Sequence, residues 1–118
     1  IALYTSSASL GAATDGYVTS GEVANGNGYT TGGVALASKA VTEDSTSGVF
    51  DAADPEWTSA TFTANGALIY NKTLGDASSN ARGAIAVLAF GGDFTVAGGT
   101  FKIVFPAATA SNAIVRID

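Results

Sequence analysis

The stretch that decides the fold is WTSATFTANGALIY, residues 57–70. Apolar or small residues recur at every second position within it, at Phe62, Ala64, Gly66, Leu68 and Tyr70. This period is that of one uninterrupted β-strand with a buried face, in which Gly66 would sit at a bulge. The pair Asn65-Gly66 between two apolar runs is also a strong hairpin signal. The sequence leaves both alternatives, one long strand or a hairpin, open.

Outward from this stretch, β-branched and aromatic runs alternate with turn residues at intervals of roughly ten residues, which is typical of an all-β sandwich or barrel. The continuous apolar run AIAVLAF at residues 84–90 predicts a central strand. We predict the other strands at residues 1–6, 33–41, 48–52, 94–96, 100–105 and 112–117, with a weak extended stretch at 17–19. Turns or loops are predicted at residues 7–16, 25–28, 42–46, 91–93 and 97–99, and a loop within 76–86.

These patterns predict a single antiparallel β-sandwich domain over residues 1–118, either jelly-roll or immunoglobulin-like. It would contain roughly eight to nine short strands and little or no helix. The chain contains no methionine, so Ile1 is not a translation start, and we expect a segment upstream of it.

The chain also contains no histidine and no cysteine. Catalytic sites of the Ser-His-Asp and Cys-His kinds are therefore excluded, as are zinc sites built from nitrogen and sulfur ligands. We predict that the protein is not an enzyme and has no catalytic residues, no metal site and no cofactor.

Charge and hydropathy limit the partners of the chain. Ten acidic residues against five basic ones give a net charge of −5, whereas nucleic-acid binding relies on clustered Lys and Arg. No apolar run approaches the ~20 residues that a membrane-spanning helix needs. We therefore predict neither a nucleic-acid partner nor a membrane partner.

Two residue groups are candidates for a site. Five loop carboxylates could bind calcium or supply an acid/base pair for glycoside hydrolysis: Glu43, Asp44, Asp51, Asp54 and Glu56. The spacing of an EF-hand is absent, and the simpler interpretation is solvated charge. Five aromatic residues could form a sugar-stacking platform: Trp57, Tyr4, Tyr17, Tyr29 and Tyr70. That platform would make the chain a carbohydrate-binding module, but we favour a core position for Trp57.

Five segments, in this order along the chain, carry a resemblance. They are IALYTSSA at residues 1–8, EVANGNGYTTGG at 22–33, FDAADPEW at 50–57, ALIY at 67–70 and FPAATASNAIVRI at 105–117. Together they resemble a family of small structural proteins from the virions of tailed bacteriophages. Members of that family have a further N-terminal stretch before the Ile-Ala-Leu-Tyr segment.

The resemblance implies a virion structural protein whose partners are the major capsid protein or other virion proteins. Packaged DNA would repel a chain of charge −5, so we expect the outer capsid surface. A decoration (cement) protein that bridges capsid subunits, with homo-oligomer or lattice contacts, is the first hypothesis. A tail or head-fibre component is the second, and the carbohydrate-binding module is the alternative from another class.

Overall fold

The fold is all-β and consists of antiparallel sheets. It is known from a computed structural model that describes residues 1–73 and 83–118. The described residues form six strands, not the predicted eight to nine, and their helix is confined to Lys72 and Thr73. The strands are β1 (Ala2–Tyr4), β2 (Ala40–Asp44), β3 (Ser47–Asp51), β4 (Glu56–Tyr70), β5 (Ala84–Lys102) and β6 (Val115–Ile117).

The strands form two three-stranded sheets, with the orders β1-β4-β5 and β2-β3-β6. The chain also divides into two compact units. The first unit contains residues 1–34 and 57–101, and the second contains residues 35–56 and 102–118. The loop predicted within residues 76–86 lies largely outside the described part of the chain.

Strand β4 runs without interruption through Asn65 and Gly66, so the hairpin alternative is wrong. It pairs with β1 in antiparallel register, with Tyr4 opposite Gly66 and Ala2 opposite Leu68. The predicted buried face is seen only in part: Ala64 and Leu68 have no exposed surface, whereas Phe62, Gly66 and Tyr70 are half-buried. Ala67 and Ile69 are buried as well, so this end of β4 is covered on both faces.

Position 66 requires glycine, because β5 passes too close for a side chain. A Cβ atom at this position would lie 2.8 Å from the carbonyl oxygen of Leu88. The residue before it, Asn65, donates a hydrogen bond to Asp93, which is five residues beyond Leu88 on β5. These two contacts place Gly66 beside Leu88 and Asn65 beside Asp93.

Strand β5 joins three segments that the sequence analysis treated as separate strands. The turns predicted at 91–93 and 97–99 fall inside this one strand assignment, and Gly91 and Gly98 have φ angles of 79° and 65°. The chain is sharply bent after Phe90, whose ring lies 6.1 Å from that of Phe94 and 6.2 Å from that of Phe101. The prediction of a central strand at 84–90 is wrong: β5 is an edge strand, and none of its residues is fully buried.

The second sheet begins with a tight hairpin. Strands β2 and β3 are joined by Ser45 and Thr46, with Ser45 in the left-handed region at φ 59°. The predicted turn at 42–46 is therefore too long, because its first three residues belong to β2. The strand predicted at 33–41 is also wrong, since β2 starts only at Ala40. The predicted last strand is shortened to Val115–Ile117.

Between β1 and β2 the chain has turns and isolated bridges, and the extended stretch predicted at 17–19 does not pair as a strand. The tight turn predicted at 25–28 is confirmed. Gly26 and Tyr29 exchange both backbone hydrogen bonds, and the two central residues, Asn27 and Gly28, have φ angles of 52° and 85°. Positive φ at both central positions is the reason for the Asn-Gly pair.

The core of the first unit forms where β1 crosses β4. Ala2, Tyr4 and Leu68 are buried together at 0–1% exposure. Partly buried apolar residues from the loops and from β5 pack around them: Ala8, Leu10, Tyr17, Tyr70, Ala84 and Val87. Small residues let the paired backbones approach, and Tyr4 is the largest of the fully buried side chains in this cluster.

We expect Gly66→Ala to destabilise the fold by about 1–3 kcal/mol, because its methyl group would overlap the Leu88 carbonyl. Gly92→Ala is the matched control, since a Cβ atom at Gly92 meets no atom within 4 Å. Urea denaturation of both variants measures the difference. Equal stability of the two variants would contradict the close approach of β5 to β4.

Candidate functional site

The acidic residues singled out in the sequence hold the C-terminal part of the chain in the second unit. Asp54 accepts a 2.9 Å hydrogen bond from the backbone N–H of Phe105, and Lys102 lies 3.5 Å from its second oxygen. Asp44 accepts a hydrogen bond from the backbone N–H of Ala110. Two of the five carboxylates therefore act as fixed acceptors for backbone donors.

The structure does not gather the five carboxylates into a metal site. Glu43 and Glu56 are exposed on different strands, and Asp51 is half-buried at the end of β3. Within residues 1–73 and 83–118, no group of three or more acidic side chains is placed to hold a metal ion. The calcium hypothesis therefore has no geometric support.

The sugar-stacking platform is wrong, because its central members are buried. Trp57 is 3% exposed, Tyr29 is 2% exposed and Tyr4 is 1% exposed, so none can present a face to a ligand. Trp57 has the core position that we favoured, 6.4 Å from the ring of Tyr29 and 6.0 Å from that of Phe101. Among the described residues, its Nε1 is the buried side-chain polar atom without a hydrogen-bond partner.

A cluster that the sequence analysis missed surrounds Glu22. Tyr17 and Tyr29 donate hydrogen bonds of 2.6 Å and 2.7 Å to its two carboxylate oxygens. The backbone N–H of Gly32 donates a third, at 2.6 Å. The hydroxyl oxygen of Tyr29 in turn accepts a 3.0 Å hydrogen bond from the N–H of Leu3 on β1. No motif marks Glu22 in the sequence, although its partners Tyr17, Tyr29 and Gly32 lie only 5, 7 and 10 residues away along the chain.

Burial and the Glu22 carboxylate raise the tyrosine pKa values in this cluster. The pKa of Tyr4 is raised to about 12, chiefly by burial and then by the negative charge of Glu22. The pKa values of Tyr17 and Tyr29 are also raised, by burial first and by their hydrogen bonds to Glu22 second. The hydroxyls therefore stay protonated at neutral pH and act as donors.

The cluster fastens the loop of residues 17–32 to the first sheet. Backbone hydrogen bonds flank it, from Val23 to the carbonyl of Leu3 and from Thr5 to the carbonyl of Gly21. Because three donors from the protein already occupy the Glu22 oxygens, the carboxylate serves as an internal acceptor and not as an acid or base for a substrate. We name it the Glu22 clamp.

The second sheet has an exposed apolar face. In its register Val41 lies opposite Phe50, which lies opposite Val115, and Gly48 lies opposite both Glu43 and Ile117. These two rows share one face of the sheet, because the row between them points to the other side. Val41 is 78% exposed and Ile117 is 72% exposed. We name this surface, formed by Val41, Glu43, Gly48, Phe50, Val115 and Ile117, the apolar face.

The opposite side of the same sheet carries the buried residues. Val49 has no exposed surface, and Ser47 is buried at 4% exposure with its hydroxyl donating to the carboxylate of Asp118. Thr42 and Arg116 lie beside Val49 in the same row. On the apolar face, by contrast, Val41 and Ile117 are largely exposed and Phe50 and Val115 are half-buried.

Comparisons with known proteins identify no relative of this chain. No family model matches the chain, and the comparisons with curated proteins and with solved structures also return no match. Within the described residues, no helix has the length and apolarity needed to cross a membrane.

We expect the free energy of unfolding to fall as the pH rises above about 10, the ordinary tyrosine pKa. The folded-state pKa values of Tyr4, Tyr17 and Tyr29 are raised, so their contribution is complete below that pH. It is lost as the pH approaches their folded-state values, because the unfolded chain releases its protons first.

Urea denaturation between pH 8 and pH 11.5 measures this fall. Tyr29→Phe removes one titrating group, so its slope should be smaller by about 1.4 kcal/mol per pH unit. A flat profile, or an unchanged slope in Tyr29→Phe, would show that the clamp tyrosines ionise in the folded protein as they do in water.

Glu22→Gln tests the carboxylate itself. We expect a loss of about 1–3 kcal/mol, since charge-assisted hydrogen bonds from two hydroxyls are replaced by weaker ones. Glu43→Gln is the matched control, because Glu43 is exposed and its stability change should stay within about 0.5 kcal/mol. Similar unfolding midpoints for the two variants would argue against the clamp.

Proposed function

We propose that this chain is a structural protein of a bacteriophage virion, and specifically a decoration protein that bridges major capsid subunits on the outer shell. The resemblance of its ordered segments to small virion proteins supports the proposal. The structural observation that carries it is the apolar face, because contiguous exposed apolar surface in a soluble domain is characteristic of protein–protein contact.

Further exposed apolar residues agree with a protein that makes several contacts. In the first unit Phe94 is 54% exposed and Ile85 is 49% exposed, both on the edge strand β5. An edge strand offers unpaired backbone groups to a neighbouring chain. Side chains with obvious chemistry are instead engaged internally, in the Glu22 clamp and in the contacts of Asp44 and Asp54.

The physical mechanism is thermodynamic linkage between binding of the chain and assembly of the shell. A protein that binds the assembled shell and not its dissociated subunits stabilises the assembled state by mass action. The net charge of −5 favours the outer surface over the DNA-filled interior. A tail or head-fibre position is the second candidate within the same class. The finer fold class, one sandwich domain of the jelly-roll or immunoglobulin-like kind, is part of the same proposal.

Quantitative mass spectrometry of purified particles tests the proposal. We expect a copy number close to that of the major capsid protein, because a decoration protein occupies every equivalent lattice position. We also expect particles without the chain to lose their DNA at lower temperature. A copy number of a few per cent would assign the chain to a tail or fibre, and absence from the particle would overturn the virion proposal.

A further inference from the structure

We propose that the apolar face is the surface through which the chain docks on its virion partner, and that this partner presents an apolar patch bordered by Lys or Arg. The inference rests on the proposed function and adds to it the docking surface and the chemistry of the partner. Three properties of the second sheet carry it: the inverted polarity of the sheet, the size of the face and its charge.

The polarity of the sheet is the reverse of that expected for a solvated face. An antiparallel sheet with one face in water normally carries polar residues on that face. Here the uncovered face carries Val41, Phe50, Val115 and Ile117, and its fifth side chain is Glu43. Phe50 and Val115 are half-buried between the exposed side chains at the two edges. Two of the four large apolar side chains on this side, Val41 and Ile117, are left largely exposed within the described residues.

The size of the face argues against a free-standing homodimer. Two strands of five residues and one of three, about 4.8 Å apart, cover at most roughly 14 × 17 Å, or about 240 Å². A stable pair of proteins buries about 800 Å² on each partner. A contact of this size is effective when the chain is held at a second place as well, as in a lattice with many neighbouring subunits.

The charge of the second unit favours a different protein over a second copy. Its six acidic residues, Glu43, Asp44, Asp51, Asp54, Glu56 and Asp118, outnumber the basic residues Lys39, Lys102 and Arg116. Two of these bases already pair with acids of the same unit, Lys102 with Asp54 and Arg116 with Asp118.

Glu43 is the charged member of the apolar face. It is exposed, and no side chain in the described part of the chain pairs with it. A second copy would bring the same excess of negative charge to the contact. A partner with Lys or Arg beside its apolar patch would pair with Glu43 and attract the rest of the unit.

The test measures binding of the full chain to purified particles that lack it, by co-sedimentation. Val41→Ser and Ile117→Ser should each weaken binding about tenfold, because each removes one apolar contact. Val104→Ser is the matched control: Val104 is 73% exposed and belongs to the second unit but to no strand. Its binding should stay within about twofold of the unsubstituted chain.

Charge variants test separately whether the negative charge of Glu43 contributes to binding. Glu43→Lys should weaken binding more than Glu43→Gln, and added salt should reduce the difference between them. Glu56→Lys is the control, because Glu56 is exposed and lies outside the apolar face. A cooperative thermal unfolding transition shows that each variant is folded. If Val41→Ser does not fold, Val41→Thr takes its place in the binding assay.

The outcomes distinguish the two proposals. If the unsubstituted chain binds particles and the apolar-face variants bind equally well, the docking surface is wrong and the virion function stands. If the unsubstituted chain does not bind, the virion function and the docking surface both fail. If Val41→Ser instead dissociates a dimer seen by sedimentation velocity, a second copy covers the face and the basic-bordered partner is wrong.

Discussion

The structure depends on the pairing of β1 with the second half of β4. Leu3 on β1 and Leu68 on β4 have no exposed surface, and their neighbours on both strands are also buried. A strand buried on both faces has no water for its outer backbone groups, so partners must come from the protein. Tyr29 and Val23 provide them, through hydrogen bonds to the N–H and the carbonyl of Leu3. The long loop after β1 therefore packs against the sheet in a fixed arrangement.

This requirement explains why tyrosine and not phenylalanine supplies much of the buried ring area in the first unit. Each tyrosine brings a hydroxyl that needs a partner when it is buried. Glu22 accepts from two of them, and the carbonyls of Val18 and Gly32 accept from Tyr4 and Tyr70. The carboxylate is tolerated in a half-buried position because it receives three donors, which replace its lost hydration.

The strands differ in how completely their two faces are covered by other residues of the chain. β1 and the second half of β4 are covered on both faces, whereas the edge strand β5 and the apolar face carry large apolar side chains in water. A sheet of three short strands has little area, and a chain rich in glycine and alanine has few large side chains with which to cover it. Those that remain exposed, such as Val41 and Ile117, are the ones available for binding another protein.

The sequence by itself determined the all-β class, the turn at Asn27-Gly28 and the core position of Trp57. These follow from side-chain period and turn chemistry, which act over a few residues. Only the tertiary structure decided that β4 continues through Asn65-Gly66, that three apolar segments merge into the edge strand β5, and that Val41 and Ile117 share one face of the second sheet. Each of these depends on which distant strands become neighbours, and local propensity carries no information about that choice.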